Sequence, residues 1–321
     1  MKSTLCAFAL STFMLATPVL AADLEAVDEL LTAERYDDAI ALLRTDSKQA
    51  DAQAKLAEVY MQMNDASEAE KWIKRVVDDA PDDAAVQFLY GSVMGARAQS
   101  SVIKAFSYAK KSRSGFTRAV ELAPDNVDYL KMLIDFHLYV PSIAGGERDE
   151  VQVRLPVLRE LDPVEAALVD AKILWKDDKD SEADAVLAAT LEQYPDDSRV
   201  LLMAGFRKRQ KDDLEAAYAY FESAAQDGSD NLLVDNARLA ALYQMGRVAD
   251  KLGSHEQAGI AALEQFLDEA YYHRDVPSRD WARYRLANLL KATGESARAG
   301  QLYAQLENTN DESLKEELDE L

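Results

Sequence analysis

The stretch Ala57–Asp82, which reads AEVYMQMNDASEAEKWIKRVVDDAPD, decides the fold of this chain. Its small residue Ala57 is followed twelve positions later by Ala69, and Pro81-Asp82 begins another twelve positions on. Two helices can cross closely where both side chains are small, because a larger side chain at either point would push them apart. A proline stops one helix, and the aspartate after it can cap the next. The stretch therefore predicts two packed helices followed by a boundary.

The same spacing recurs along the rest of the chain. Five further small residues are followed twelve positions later by an alanine, in the pairs Val27 and Ala39, Ala171 and Ala183, Gly205 and Ala217, Gly246 and Ala258, and Ala287 and Ala299. Pro195-Asp196 follows Ala183 at the same distance as Pro81-Asp82 follows Ala69. Recurrence at a fixed spacing is typical of proteins built from internal repeats. The chain is therefore predicted to repeat one helical unit along its length.

These positions resemble the tetratricopeptide repeat, a helix–turn–helix unit of about 34 residues. Aromatic or aliphatic residues also stand where that family has them in the first helix, at Leu30, Tyr60, Leu174 and Leu290. The resemblance implies an all-α protein, a right-handed helical solenoid of about eight units over residues 22–307. The units are predicted to start near residues 23, 50, 84, 127, 164, 198, 239 and 280. An irregular helical bundle is the competing interpretation.

Two units depart from the regular spacing. Counting back from Pro124 pairs Ser112 with Gly91 across 21 residues, which predicts a nine-residue insertion and long helices in unit 3. The same counting pairs Val151 with Ile134 across 17 residues, which predicts a five-residue insertion in unit 4. Units 3 and 4 are therefore expected to differ in shape from the others.

Two phrases in these units, Tyr108–Arg113 and Val140–Gly146, resemble a group of bacterial exported tetratricopeptide proteins of unassigned biochemistry. That likeness supports the class and adds no activity. Gly145-Gly146 lacks the strand, the lysine and the further glycines of a phosphate loop, so we expect a tight loop there. The polar, acidic segment 308–321 is predicted to be a cap or tail that keeps the last repeat soluble.

The first residues are typical of a secretory signal peptide. Lys2 precedes an apolar run that starts at Leu5 and is too short to span a membrane, and small residues lead up to Ala21. We therefore predict a signal peptide over residues 1–21 and a periplasmic or secreted mature protein. The single cysteine, Cys6, falls inside this segment, so the mature chain would have no thiol for disulfides, catalysis or metal binding.

The net charge limits the classes of partner that the chain can bind. It has 36 lysines and arginines against 58 aspartates and glutamates, which gives a formal net charge of −22. So acidic a protein repels nucleic acid and anionic membrane surfaces over most of its area. We expect no nucleic-acid partner and, after removal of the signal peptide, no integral membrane segment.

Residue types that carry catalysis or bind metals are few and badly spaced. His137 falls at a core position of unit 4, and His273 is expected in a polar connection between units 7 and 8. His255-Glu256 begins like a zinc-protease motif, but Gly259 stands where the second histidine belongs. The acidic run 177–184 lacks the glycine and glutamate of a calcium-binding EF-hand loop. The sequence therefore predicts no catalytic residues, no metal and no cofactor.

The concave face of a tetratricopeptide solenoid binds partners through fixed positions of each first helix. In units 5 to 7 those positions carry six bases and two acids, the reverse of the overall balance. The family pattern, carried over by position, makes the candidate partner-binding residues Lys172, Trp175, Lys176, Arg199, Phe206, Arg209, Tyr243, Arg247 and Lys251. The bases would engage an anion, and the aromatic residues would bury apolar side chains. Solvated helix faces on which charges cluster by chance are the alternative.

A second basic island covers residues 84–120 and contains the insertion of unit 3. It has six bases and no acid, the bases being Arg97, Lys104, Lys110, Lys111, Arg113 and Arg118.

These observations predict a non-enzymatic periplasmic or secreted adaptor or scaffold that binds a peptide segment or a partner protein in the groove. An acidic or carboxylate-ending segment would suit the bases. One alternative is a small-ligand-binding or enzymatic accessory protein that uses the insertions in units 3 and 4, and another is a solenoid that associates with itself. A deep pocket between the insertions would favour the ligand binder, and an open basic groove would favour the adaptor.

Overall fold

A computed structural model describes residues 24–46, 48–101, 103–226 and 229–320. The predicted signal peptide, residues 1–21, lies outside them. The described part contains no β-strand and consists of one short 3-10 turn, Ser142–Ala144, and 17 α-helices: α1 (Leu24–Thr32), α2 (Tyr36–Arg44), α3 (Ala50–Gln62), α4 (Ala66–Asp79), α5 (Ala84–Gln99), α6 (Ala105–Leu122), α7 (Val127–Tyr139), α8 (Arg148–Leu161), α9 (Pro163–Lys176), α10 (Asp180–Gln193), α11 (Ser198–Gln210), α12 (Leu214–Ala224), α13 (Leu232–Leu252), α14 (Glu256–Glu269), α15 (Arg279–Ala292), α16 (Ser296–Gln305) and α17 (Glu312–Asp319).

Consecutive helices pack as pairs, so α1 to α16 form eight helical hairpins, and α17 follows them. The predicted all-α solenoid is confirmed. One boundary differs from the expected position: the first helix of unit 7 begins at Leu232 rather than near residue 239. The side chain of Asn231 caps this helix by accepting hydrogen bonds from the Leu233 and Val234 amides. The helix therefore begins seven residues before the predicted start of the unit.

Acidic side chains cap the helices that follow the Pro-Asp pairs, but one residue later than expected. Asp83, not Asp82, accepts hydrogen bonds from the first-turn amides of α5. Asp197, not Asp196, caps α11 in the same way. The chain needs one more residue after the proline to turn, so the second aspartate reaches the free amide groups of the helix.

Small residues mark the helix crossings, as the spacing predicts. A side chain at Gly205 would meet the ring of Phe221, sixteen residues on, and one at Gly91 would meet Phe116, twenty-five residues on. These two contacts are equivalent, so unit 3 has nine more residues between its crossing points than unit 6 has. The extra residues lengthen the hairpin, because α5 and α6 contain 16 and 18 residues whereas α11 and α12 contain 13 and 11.

The solenoid curves until its last unit meets its first. Glu34, in the turn between α1 and α2, forms ion pairs with Arg279 and Arg283 of α15. The side-chain amide of Asn310 donates to the backbone carbonyl of Met63 at 2.9 Å. The repeat pattern contains no sign of this closure, since it describes only neighbouring helices. In the parts of the chain that the structure describes, every helix is too short or too polar to span a bilayer.

Candidate binding surface on the inner face

A segment of the chain itself occupies part of the inner face. This segment, 270–278, joins α14 to α15 and is called the inner strap below. Arg274 binds Asp128 of α7 with both terminal nitrogens and lies 5.0 Å from the ring of Phe88. Asp275 of the strap lies 3.2 Å from the ammonium group of Lys131. The strap therefore bridges unit 7 and the first helix of unit 4.

The strap is also fixed to unit 7 by polar contacts. Tyr271 donates its hydroxyl proton to the side-chain oxygen of Asn236 at 2.7 Å. The ring of His273 lies 3.0 Å from the amide nitrogen of Asn236. His273 was expected in a polar connection between units 7 and 8, and the structure places it there. Part of the inner face of units 3 and 4 is thus covered by the protein's own chain.

Charged side chains beneath the strap neutralise one another. Lys131 lies 3.2 Å from Asp135, and Lys172 lies 3.5 Å from the other oxygen of Asp135 and 3.9 Å from Glu165. Burial works against the positive charge of Lys131, but Asp135 and Asp275 together raise its pKa. The predicted groove residue Lys172 therefore serves this internal network and does not face a free groove.

Two further predicted groove residues are engaged within the protein. Arg199 has a side chain that is only 8% exposed and forms ion pairs with Asp162 and Asp197 at 2.5 and 2.8 Å. The indole nitrogen of Trp175 donates to Asp184 at 3.3 Å. Acids from two repeat boundaries and from α10 reach these positions, so family position alone overstated how much of the basic groove is free.

The remaining six predicted residues fall into two groups, of which only one surrounds a cavity. Lys176 is exposed with its ammonium group 5.6 Å from the ring of Tyr139, whereas Tyr243 is buried. Phe206 is half-buried against Phe221. The other three predicted residues, Arg209, Arg247 and Lys251, meet around one cavity.

This cavity, called the arginine cavity below, has a volume of about 430 Å³ and lies between the first helices of units 6, 7 and 8. Its lining residues are Arg209, Leu214, Arg247, Val248, Asp250, Lys251 and Arg285. Four of the seven side chains are basic and one is acidic, while Leu214 and Val248 supply an apolar wall. The cavity can therefore hold an anionic group beside an apolar one.

Two of these four bases, Arg209 and Arg247, have no carboxylate partner among the described residues. Arg247 is exposed and has no acid within ion-pair distance in the described part of the chain, and Arg209 donates to a neutral acceptor, Gln244, at 2.5 Å. Burial and then the charge of Arg247 lower the pKa of Arg209. Lys251 has an exposed partner in Asp212, 3.2 Å away. The positive charge here exceeds what the neighbouring acids neutralise.

Arg285 is the cavity residue that the sequence pattern missed. It lies outside the family's binding positions and reaches the cavity only because α15 packs beside α13. Its guanidinium lies 3.1 Å from Asp250 and 5.5 Å from the ring centre of Trp281. Its Nε atom is buried and has no acceptor among the described residues. Only packing between units, which no local spacing records, could have identified it.

The other sequence candidates have structural roles. His255 stacks on Tyr218 at 4.2 Å between ring centres. In the acidic run, Asp178 adopts a left-handed turn conformation with φ of 56°, and Asp180 and Asp184 pair with Arg207. No cluster of three or more metal-ligating side chains exists among the residues that the structure covers.

The insertion of unit 4 forms a tight loop against unit 3. The Gly145 and Gly146 amides donate to Ser142 and Pro141 within the loop, so they are not free to bind an anion. Arg113 of α6 forms an ion pair with Glu147 and donates to the Gly145 carbonyl at 3.3 Å. The two insertions thus contact each other directly.

His137 is buried in the core, as predicted, and makes stability depend on pH. Its Nδ1 atom accepts a hydrogen bond from the Glu147 amide at 3.1 Å, which requires that this nitrogen carry no proton. Burial and then the charge of Arg154 lower its pKa from 6.5 to about 4. As the pH falls, this imidazole is protonated in the unfolded chain before it is protonated in the folded protein. The contribution of His137 to the free energy of unfolding is therefore fully present above pH 6.5 and is lost as the pH falls toward 4.

We therefore expect the free energy of unfolding to fall by about 2 kcal/mol from this residue between pH 6.5 and pH 5. Urea denaturation at a series of pH values measures the slope. In His137→Asn, whose side-chain oxygen can accept the same amide hydrogen bond, this part of the slope should vanish. An unchanged slope in that variant would show that other groups cause the acid sensitivity.

Comparisons with known proteins agree with this architecture. The sequence profile of the tetratricopeptide repeat matches residues 30–92. The crystal structure of yeast Tom70 superposes with a TM-score of 0.57 at 15% identity, over 96% of this chain and 64% of that one. Together these findings support a tetratricopeptide-repeat protein. The chain spans less than two thirds of the length of Tom70, and at this identity the likeness concerns the fold alone.

Two further solved structures are similar at lower scores. The type IV pilus biogenesis factor PilW has a TM-score of 0.37 and 16% identity, over 71% of this chain and 96% of that one. A tetratricopeptide repeat protein from Parabacteroides merdae has a TM-score of 0.39 and 13% identity, over 84% and 96%. No curated protein matches the chain by sequence.

Proposed function

We propose that this tetratricopeptide-repeat protein is a non-enzymatic periplasmic or secreted adaptor that binds an acidic segment of a partner protein at the arginine cavity. The observation that carries the proposal is the meeting of Arg209, Arg247 and Arg285 beside the apolar wall of Leu214 and Val248. An acidic side chain or chain terminus would pair with the guanidinium groups, and an adjacent apolar side chain would bury itself against the wall.

The inner strap limits the proposed binding site to one end of the groove. Since the strap covers part of the inner face of units 3 and 4, a partner segment would enter across units 6 to 8. Export is supported by the signal-like sequence at the start of the chain. The direct contact of Arg113 with the loop of unit 4 favours the adaptor over a ligand pocket between the insertions.

In-cell photo-crosslinking tests the proposal. A crosslinkable amino acid at Leu214, on the cavity wall, should form an adduct with a protein partner. Arg247→Glu in the same chain should weaken partner binding about a hundredfold, because it removes one charge-assisted hydrogen bond and adds a repelling charge. Arg247 has no ion pair in the described part of the chain, so its replacement should leave the thermal unfolding midpoint unchanged.

Lys179→Glu is the matched control, because it makes the same charge change at an exposed position in the α9–α10 turn. It should leave the adduct intact. A Leu214 adduct that persists at full yield in Arg247→Glu would contradict binding at the arginine cavity. An adduct lost equally in both variants would show a response to net charge alone.

A further inference from the structure

The hairpin of α5 and α6 projects beyond its neighbours at the turn that joins the two helices. Beyond its crossing glycine, Gly91, α5 continues for eight residues, whereas α11 continues for five beyond Gly205. Before Phe116, α6 has eleven residues, whereas α12 has seven before Phe221. At 1.5 Å per residue, the extra residues extend the hairpin by roughly 5 Å. We call this end, residues 103–111, the hairpin tip.

Two large apolar side chains at the hairpin tip are exposed to solvent. Ile103 is 95% exposed and Phe106 is 53% exposed. Ile103 is the most exposed of the large hydrophobic residues in the described part of the chain. Exposing such side chains to water is unfavourable unless something covers them, so an exposed pair at an apex marks an interaction site.

The hairpin tip also carries three lysines. Lys104, Lys110 and Lys111 are exposed, and none of them has a carboxylate within ion-pair distance among the residues that the structure describes. The three arginines of the same basic island differ, because Arg97, Arg113 and Arg118 pair with Glu70, Glu147 and Asp82. The island is thus neutralised along the hairpin and stays positive only at its tip.

We propose that the hairpin tip docks on the surface of an anionic phospholipid bilayer. Lysines beside a negatively charged membrane are each worth about a fivefold increase in partitioning. Exposed Ile and Phe side chains enter the boundary between headgroups and acyl chains, as in interfacial anchors. The remainder of the protein is acidic and is repelled by such a surface, so the contact would be confined to the projecting end.

A bilayer suits this tip better than an acidic protein does. A stable protein interface needs roughly 800 Å² on each partner and a complementary shape. The tip is a narrow convex end with two apolar side chains, which cannot offer such an area. A bilayer interface deforms around an inserted side chain and needs no matching shape.

Vesicle binding by the full chain tests the proposal. One arm uses phosphatidylcholine vesicles with roughly one third phosphatidylglycerol, and the other uses phosphatidylcholine alone. Changing Lys104, Lys110 and Lys111 together to Glu should lower partitioning onto the anionic vesicles about a hundredfold. The matched control changes Lys48, Lys179 and Lys291 to Glu, which are exposed and lie in other units. The apolar N-terminal segment is the same in all variants, so a difference in their partitioning onto vesicles is caused by the hairpin tip.

A fluorescent label shows whether the tip enters the bilayer. In a Cys6→Ser chain, Ile103→Cys carries an environment-sensitive dye, and Gly300→Cys carries the same dye as the control position. The dye at position 103 alone should brighten, and only with anionic vesicles. Equal partitioning of the tip variant and the control variant would overturn the proposal. The proposal would also be overturned if the fluorescence of this dye did not change with vesicles but changed with soluble polyglutamate. The tip would then bind an acidic polypeptide.

Discussion

Substituting alanine for Gly115 is expected to destabilise unit 3 by about 3 kcal/mol. Gly115 lies where α5 and α6 cross, and an added Cβ would stand 2.7 Å from both the Gln87 carbonyl oxygen and the Gly91 amide nitrogen. Both atoms belong to the backbone of α5, so no side-chain rotation can relieve the overlap. The two helices would have to separate, which would also loosen the packing of buried Phe116.

Urea denaturation combined with hydrogen exchange measures this effect. Stability in a repeat protein depends on neighbouring interfaces, so exchange should accelerate in α5 and α6 first. Gly300→Ala is the matched control, because an added Cβ there meets nothing within 4 Å in the interior of α16. That control should gain about 0.5–1 kcal/mol from helix propensity. If Gly115→Ala were equally stabilising, the close crossing of α5 and α6 would be refuted.

Replacing Arg274 by alanine is expected to detach the inner strap and to cost about 3–5 kcal/mol. The substitution removes the paired guanidinium from Asp128, whose side chain is only 13% exposed. Burial opposes ionisation of that carboxyl, but the His273 ring, 3.9 Å away, and the hydrogen-bonded Arg274 hold its pKa well below the usual range. Without Arg274, a buried negative charge would remain with weaker compensation.

A double-mutant cycle separates this ion pair from general loss of packing. Asp128→Ala together with Arg274→Ala should cost less than the sum of the two single variants, because no unpaired charge then remains. Hydrogen exchange across residues 270–278 should rise in each single variant. Lys251→Ala, which breaks an exposed pair with Asp212, is the control and should cost under about 1 kcal/mol. Additive costs across the cycle would mean that Arg274 and Asp128 are not coupled.

The repeat itself could be predicted because it depends on neighbouring residues. The spacing of Ala57, Ala69 and Pro81 reflects a crossing and a boundary within one unit, and the same physical requirement recurs in each unit. The insertion in unit 3 could be counted for the same reason, since Gly91 and Phe116 keep the contact that Gly205 and Phe221 make. The packing of His137 also followed from its position in the repeat.

The binding surface could be predicted only in part. Family position indicated Arg209, Arg247 and Lys251, which meet at one cavity. It indicated Arg199 equally, yet Asp162 and Asp197 neutralise that side chain. The family positions identify the bases on a face, but they do not show which aspartates between the repeats pair with those bases.

The sequence by itself determined the helical hairpins, their order and their close crossings, because these follow from side-chain size over short distances along the chain. Only the tertiary structure decided which part of the inner face is open. Closure joins Glu34 to Arg279 and Asp128 to Arg274, pairs that are 245 and 146 residues apart in sequence. Such contacts depend on the curvature summed over all the units. Small rotations between successive hairpins set that sum, and no single spacing in the sequence records it.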